Sequence, residues 1–159
     1  MGVKFSLLWM ALSLINFALA QDLLGERIRK IEGHKQNAYF AQGIFHNGDQ
    51  GGPSAIKALR HATHQGQYER LVIDFTTPNI PRIYGHMSST ENKLYLDFFN
   101  TKLAGQVKSF GKSKKVQDFN FFPVSEKQET LSLEINFKKP VKIDVFYLAA
   151  PGRLVIDLD

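Results

Sequence analysis

Histidines and carboxylates are the side chains here best suited to chemistry, and their spacing limits what they can do. His61 and His64, in HATH, stand three apart. On a strand, residues three apart point to opposite faces and cannot share a metal ion without a bulge. His86 lies on another candidate strand, near Asp74 and Asp97 only if the sheet order brings them together. Glu69 and Glu134 would serve glycan hydrolysis as paired acids only across a cleft that holds them about 5–10 Å apart, and nothing in the sequence places them so. No HExxH, GxSxG, Walker A or GxGxxG pattern occurs. With no cysteine, thiolate zinc, a thiol nucleophile, disulfides and a lipid-modified cysteine are excluded too. The expectation is a protein that is not an enzyme, with no cofactor, no metal and surface histidines.

A second pattern repeats. A basic residue, an apolar pair of alternate positions and an aspartate recur as Arg70 to Asp74, Lys93 to Asp97 and Arg153 to Asp157. On strands, Leu71, Ile73 and Phe75 point one way while Arg70, Val72 and Asp74 point the other. Likewise Leu94, Leu96 and Phe98 oppose Lys93, Tyr95 and Asp97, and Leu154, Ile156 and Leu158 oppose Arg153, Val155 and Asp157. Leu131, Leu133, Ile135 and Phe137 complete an inner set opposite Ser132, Glu134 and Asn136, so the core is expected to need no polar residue. Basic residue and Asp within one strand are about 13 Å apart, too far to pair. Across antiparallel strands they can meet, as ordinary ion pairs contributing roughly 0.2–1 kcal/mol each. The same outward face also suits a flat glycan: carboxylates accept from hydroxyls, Arg and Lys meet acids, and Tyr95 stacks on a sugar ring.

These strands sit in a chain of 159 residues, 43% hydrophobic and 22% charged, an ordinary composition for a folded domain. Residues 1–20 read as a secretory signal peptide: Lys4, an apolar run from Phe5 to Phe17, and Ala18-Leu19-Ala20 before Gln21. Residues 21–53 read as a short N-terminal helix and linker. Leu24, Ile28 and Ile31 fall at helical spacing between Asp22 and Gly33, Ala38 to Phe45 suits a short strand, and HNGDQGGP is turn-rich. Residues 54–159 alternate with period two. Strands are expected at 56–64, 68–76, 82–87, 94–100, 116–123, 130–138, 142–148 and 154–158, separated by Gly, Pro, Asn and Ser turns. Eight such strands predict an all-β sandwich.

The halves of this region are alike. LVIDFTTP from Leu71 aligns with LEINFKKP from Leu133 at an offset of 62, and KLYLDF from Lys93 aligns with RLVIDL from Arg153 at an offset of 60. Two related four-stranded sheets closing on one another are therefore expected, with Lys102 to Lys115 as the lysine-rich linker.

YERLVIDFTTP, KLYLDF and ETLSLEINFKKPVKIDVFYLAAPGRLVIDL together resemble an AMIN domain, over residues 54–159. Lys93 stands where that family has Arg, and Glu134 and Asn136 stand where the first half has Val72 and Asp74. The resemblance implies a β-sandwich of two related four-stranded sheets that targets periplasmic proteins to peptidoglycan, as in cell-wall amidases and pilus secretins. It places exposed ligand-binding motifs at Arg70, Asp74, Lys93, Asp97, Arg153 and Asp157, with Tyr95 beside them. Because Asp159 ends the last strand with no amidase or secretin domain after it, the module is expected to stand alone.

The whole chain carries a net charge of +5, of which Lys4 in the signal supplies one, so the exported part is mildly basic. That charge favours an anionic envelope partner, and export makes a wall polymer more available than nucleic acid. The expected protein is a periplasmic, peptidoglycan-binding module without a membrane span, positioning an envelope complex such as an amidase, secretin or pilus machine. The alternative is an accessory subunit of a secretin or type IV pilus machine that touches no glycan and uses the sandwich edges and the Leu24 face instead.

Overall fold

A computed structural model describes residues 28–48, 51–65, 68–108, 111–125 and 129–159; residues 1–20, expected to be a signal peptide, and Leu24 lie outside them. The described residues are all-β: β1 (Ile28–Lys30), β2 (Gly43–His46), β3 (Ser54–His64), β4 (Tyr68–Phe75), β5 (Ile83–Ser88), β6 (Lys93–Phe98), β7 (Thr101–Leu103), β8 (Val116–Ser125), β9 (Thr130–Phe137), β10 (Ile143–Leu148) and β11 (Arg153–Leu158). The eight expected strands are all present, their ends shifted by two residues at most. Period-two alternation finds such strands because each buries one face and leaves the other polar.

The strands form two mixed sheets in a sandwich-like arrangement. A six-stranded sheet runs β1-β2-β5-β6-β9-β8, and a five-stranded sheet runs β10-β11-β4-β3-β7. Their inner residues share one core, including Leu71, Ile73, Leu94, Leu96, Leu133 and Ile156, with Phe75 and Phe98 in ring contact from opposite sheets. Each sheet takes one hairpin from each half of the chain: β5–β6 and β8–β9 in the larger, β3–β4 and β10–β11 in the smaller. β4 pairs with β11 from Asp74↔Arg153 to Glu69↔Leu158, and β9 pairs with β6 from Asn136↔Lys93 to Leu131↔Phe98. Register shifts interrupt β3 between Ile56 and Ala58 and β8 between Val116 and Asp118.

Three expectations are corrected. The sheets have six and five strands rather than four each, because β1, β2 and β7 extend them. Ile28, Arg29 and Lys30, expected in a helix, form β1; residues 22–27 of that helix lie outside the described residues. Ile28 is 66% exposed while Ile31 is buried, and the Ile31 N–H donates to the His46 carbonyl at 2.8 Å. β1 pairs in parallel with β2, which requires a crossover, and residues 31–42 make it. That pairing is non-local, so a local helical spacing carried no information about it. Third, the core does contain a polar residue: Glu69, on the inner face of β4, is buried.

The crossover passes over the smaller sheet. Phe40 bridges Ile143 on the edge strand β10, and the Tyr147 N–H donates to the Glu32 carbonyl at 3.0 Å. Asp144, Phe146, Val155 and Asp157, on the outward side of β10 and β11, are consequently buried.

Candidate functional site

The seven residues singled out for recognition divide between the outward faces of the two sheets. Arg70 and Asp74 on β4 and Arg153 and Asp157 on β11 belong to the five-stranded sheet; Lys93, Tyr95 and Asp97 on β6 belong to the six-stranded one. No single ligand surface can include both groups, since the core lies between them.

On the smaller sheet Arg70, Asp74 and Asp157 are held in ion pairs. Arg70 sits directly across from Asp157 and donates two hydrogen bonds to it, at 2.6 and 2.9 Å. Lys35, from the crossover, adds a third at 2.6 Å, and the Asp157 side chain is 0% exposed. Burial pushes the Asp157 carboxyl up, but hydrogen bonds from Arg70 and Lys35 outweigh it and hold it below the usual carboxylate range. Next to it, the Asn37 N–H donates to Asp144 at 3.0 Å. Aromatic rings enclose the cations: Lys35 lies 4.5 Å from the Tyr68 ring centre, and Arg70 lies 5.7 Å from that of Phe146. Asp74 faces Arg153 in the ladder, yet its carboxylate takes two bonds from Arg60 at 2.5 and 2.8 Å. The Arg153 Nε is buried without a hydrogen-bond partner. Lys35 and Arg60 carried no signal in the sequence, because neither belongs to the repeated motif.

The larger sheet presents a different surface. Lys93 donates to Glu134 at 2.9 Å, Tyr95 donates to Glu91 at 2.9 Å, and Ser132 donates to Asp97. The Glu134 hydrogen bond raises the Lys93 ammonium pKa, while burial and then the bond to Glu91 raise that of the Tyr95 phenol. β5 adds Tyr84 directly across from Asp97 and His86 directly across from Tyr95, whose rings stack 6.2 Å apart. Tyr84 is 40% exposed. Aromatic and carboxylate side chains thus lie side by side over β5, β6 and β9 on the outward face of this sheet. The sequence did show Tyr84 and His86 alternating with Ile83, Gly85 and Met87, but the β5–β6 register was needed to set them beside Tyr95 and Asp97.

A buried polar cluster lies at one end of β4. Glu69 accepts from the Ser113 hydroxyl, from the Lys114 N–H at 2.7 Å and from His61 Nε2 at 3.0 Å. Burial pushes the Glu69 carboxyl up, and the Ser113, Lys114 and His61 bonds more than offset it, leaving it lowered. The Ser113 oxygen itself accepts from the Val116 N–H at 2.8 Å, so this serine caps the approach to β8. It is not arranged as a nucleophile with its base: its hydroxyl hydrogen points to the carboxylate, and His61 binds that carboxylate too. Glu69 and Glu134 lie on strands of different sheets, Glu69 inward and Glu134 outward, so they do not flank a common cleft.

Among the described residues no group of three or more His, Asp or Glu side chains could hold a metal ion, and no helix is long and apolar enough to cross a membrane. No family model, curated protein or solved structure matches the chain.

Proposed function

We propose that the protein is a non-catalytic, AMIN-like module, exported to the periplasm, that binds peptidoglycan and positions an envelope complex. One observation carries this reading: the outward face of the six-stranded sheet, where Tyr84, His86 and Tyr95 lie among Asp97, Glu134 and Lys93. Aromatic rings offer flat apolar surfaces to the C–H faces of sugars, carboxylates accept from hydroxyls, and Lys93 suits the acidic groups of the wall polymer. In this reading Lys93, Tyr95 and Asp97 contact glycan, and Arg70, Asp74, Arg153 and Asp157 hold the smaller sheet together.

The same reading takes the halves of residues 54–159 as two copies of one four-strand unit. The offsets support it. Moving β6 by 60 and β9 by −62 turns the ladder Lys93↔Asn136 to Phe98↔Leu131 into Arg153↔Asp74 to Leu158↔Glu69, and the register shift after Ile56 recurs 60 residues on, after Val116.

Co-sedimentation with purified sacculi over a salt series tests the function. The expected outcome is pelleting that survives about 0.15 M salt, where exposed charges are screened beyond about 8 Å. Tyr84→Ala and Tyr95→Ala should each lower the bound fraction about two- to tenfold without changing the unfolding midpoint. Unchanged pelleting of both variants would remove this face from the reading. The accessory-subunit alternative is favoured by one observation, that β8 ends its sheet with no strand beyond it among the described residues. A dedicated protein partner would stay bound after enzymatic digestion of the glycan.

A further inference from the structure

The strand registers of the larger sheet line up residues across it as well as along it. One rung sets Tyr84, Asp97, Ser132 and Phe122 side by side, on β5, β6, β9 and β8. The neighbouring rung sets His86, Tyr95, Glu134 and Asn120 on the same strands in the same order. Both rungs face outward, because the residues alternating with them, among them Ile83, Leu96, Leu133 and Phe121, pack on the core. Phe121 and Phe122 are adjacent in the chain, yet the second turns outward and is 49% exposed. Tyr84, 40% exposed, stands at the other end of its rung. Three strand spacings separate the two rings, about 14 Å.

Between these rings the floor is polar, and its hydrogen-bonding capacity is not filled. Asp97 accepts from the Ser132 hydroxyl, and Glu134 accepts from Lys93 at 2.9 Å. An ionised carboxylate offers about four lone-pair sites, so each keeps acceptor positions beyond its one side-chain partner among the described residues. An apolar protein surface laid over this floor would leave those oxygens desolvated and unpaired, which is costly. A carboxylate of the wall polymer would meet two like charges there. A chain of sugar hydroxyls meets neither objection: it donates to the carboxylates and offers its C–H ring faces to Tyr84 and Phe122.

The direction of such a chain follows from the same rungs. Lying along β5 and β6, it would touch Tyr84, His86 and Tyr95 and never reach β8, leaving the Phe122 ring outside the site. Lying across the strands, it meets an aromatic ring, a carboxylate, a hydroxyl and a second aromatic ring in turn. Only this path uses both exposed rings and the acceptors between them.

We propose that a glycan chain lies across the strands of the larger sheet, from Tyr84 over Asp97 and Ser132 to Phe122. Phe122 is then a second aromatic platform, and its distance from Tyr84 sets the shortest glycan that the protein holds well. The inference rests on the glycan-binding reading of this face and adds to it a residue, a direction and a length. A span of about 14 Å is roughly three sugar rings end to end. A disaccharide reaches one platform, and a tetrasaccharide reaches both.

Calorimetric titration of the purified protein with N-acetylglucosamine oligomers tests this. Affinity is expected to rise about three- to tenfold from dimer to tetramer, the gain one further stacked ring supplies, and to level off by the hexamer. Phe122→Ala should remove that gain and leave the dimer within about twofold of its original affinity, and Phe122→Tyr should restore it. Tyr84→Ala should weaken every length, whereas Leu103→Ala, at an exposed apolar position on the smaller sheet, should change none. Unchanged circular dichroism spectra and unfolding midpoints check that the variants are folded. Affinity independent of length, or an equal loss for dimer and tetramer with Phe122→Ala, would overturn the proposal while leaving glycan binding in place. Failure of every oligomer to bind at about 10 mM would overturn it too. Sacculi then decide the underlying reading: pelleting weakened by Tyr84→Ala and Tyr95→Ala keeps the face, and pelleting unchanged by both removes it.

Discussion

Asp157 is the residue on which the outward side of the smaller sheet depends. Its buried carboxylate is stable only because Arg70 and Lys35 both donate to it. Arg70→Ala removes the bidentate partner and is expected to cost about 3 kcal/mol, roughly 10 °C in the thermal midpoint. Lys35→Ala leaves the Arg70 pair intact and should cost about 1 kcal/mol. Urea unfolding of the two variants checks the order. The same carboxylate sets a pH dependence. Asp157 and Glu69 both have folded pKa values lowered from the ordinary range. Below that range the unfolded chain takes up protons that the native carboxylates still refuse, so stability falls as pH drops through the folded values and is fully present above the unfolded ones, near 4. Urea midpoints should therefore decline as pH falls below about 4, and Asp157→Asn should flatten that decline while lowering the plateau above it.

At the scale of elements, β2 and β5 pack through a glycine that the sequence alone made look incidental. Gly85 faces inward on β5, directly across from Phe45 on β2. A Cβ built there would lie 2.2 Å from the Phe45 ring, so the ring occupies the space a side chain would need. Gly85→Ala is expected to cost about 1–3 kcal/mol by overpacking, and adding Phe45→Leu should recover part of that loss. A double-mutant cycle in urea checks it; independent, additive losses would refute the contact as the cause. β1 belongs to the same scale. Its three residues are too few to bury a face of their own, and Ile31 enters the core only because the crossover that follows it must return to β2.

At the scale of the whole molecule, the crossover joins the sheets as well as the strands. It starts and ends in the six-stranded sheet, yet Phe40, Glu32, Lys35 and Asn37 all bond to the five-stranded one. A chain truncated to begin at Gly48 would lose β1, β2 and this cover, baring Phe146, Val155 and the unneutralised side of Asp157. It is expected to lose cooperative thermal unfolding, with near-ultraviolet circular dichroism reduced and dye binding to exposed apolar surface increased. A truncated chain that unfolds as sharply as the full one would show the cover to be dispensable. The cover also separates the two outward faces in kind. One is closed over a charge cluster, and the other carries Tyr84, 40% exposed, beside Tyr95 and Asp97.

The sequence by itself determined eight of the nine strands of residues 54–159, all but β7, with most of their inward and outward residues, and the recurrence of the basic-to-Asp motif. Alternation of apolar and polar residues is a local property, and each strand records it independently. It also held cross-strand pairing of the motif's basic residues with its aspartates as one of two compatible readings, since opposite charges on outward faces can meet each other and still present a surface to a ligand. Only the tertiary structure showed which charges pair. The β4–β11 register put Arg70 across from Asp157, and Lys35, more than a hundred residues away in the chain, closed over the pair. The same is true of β1 and of the buried Glu69: a parallel pairing across a crossover, and a carboxylate satisfied by Ser113 and Lys114 of a distant loop, arise from contacts that no local spacing encodes.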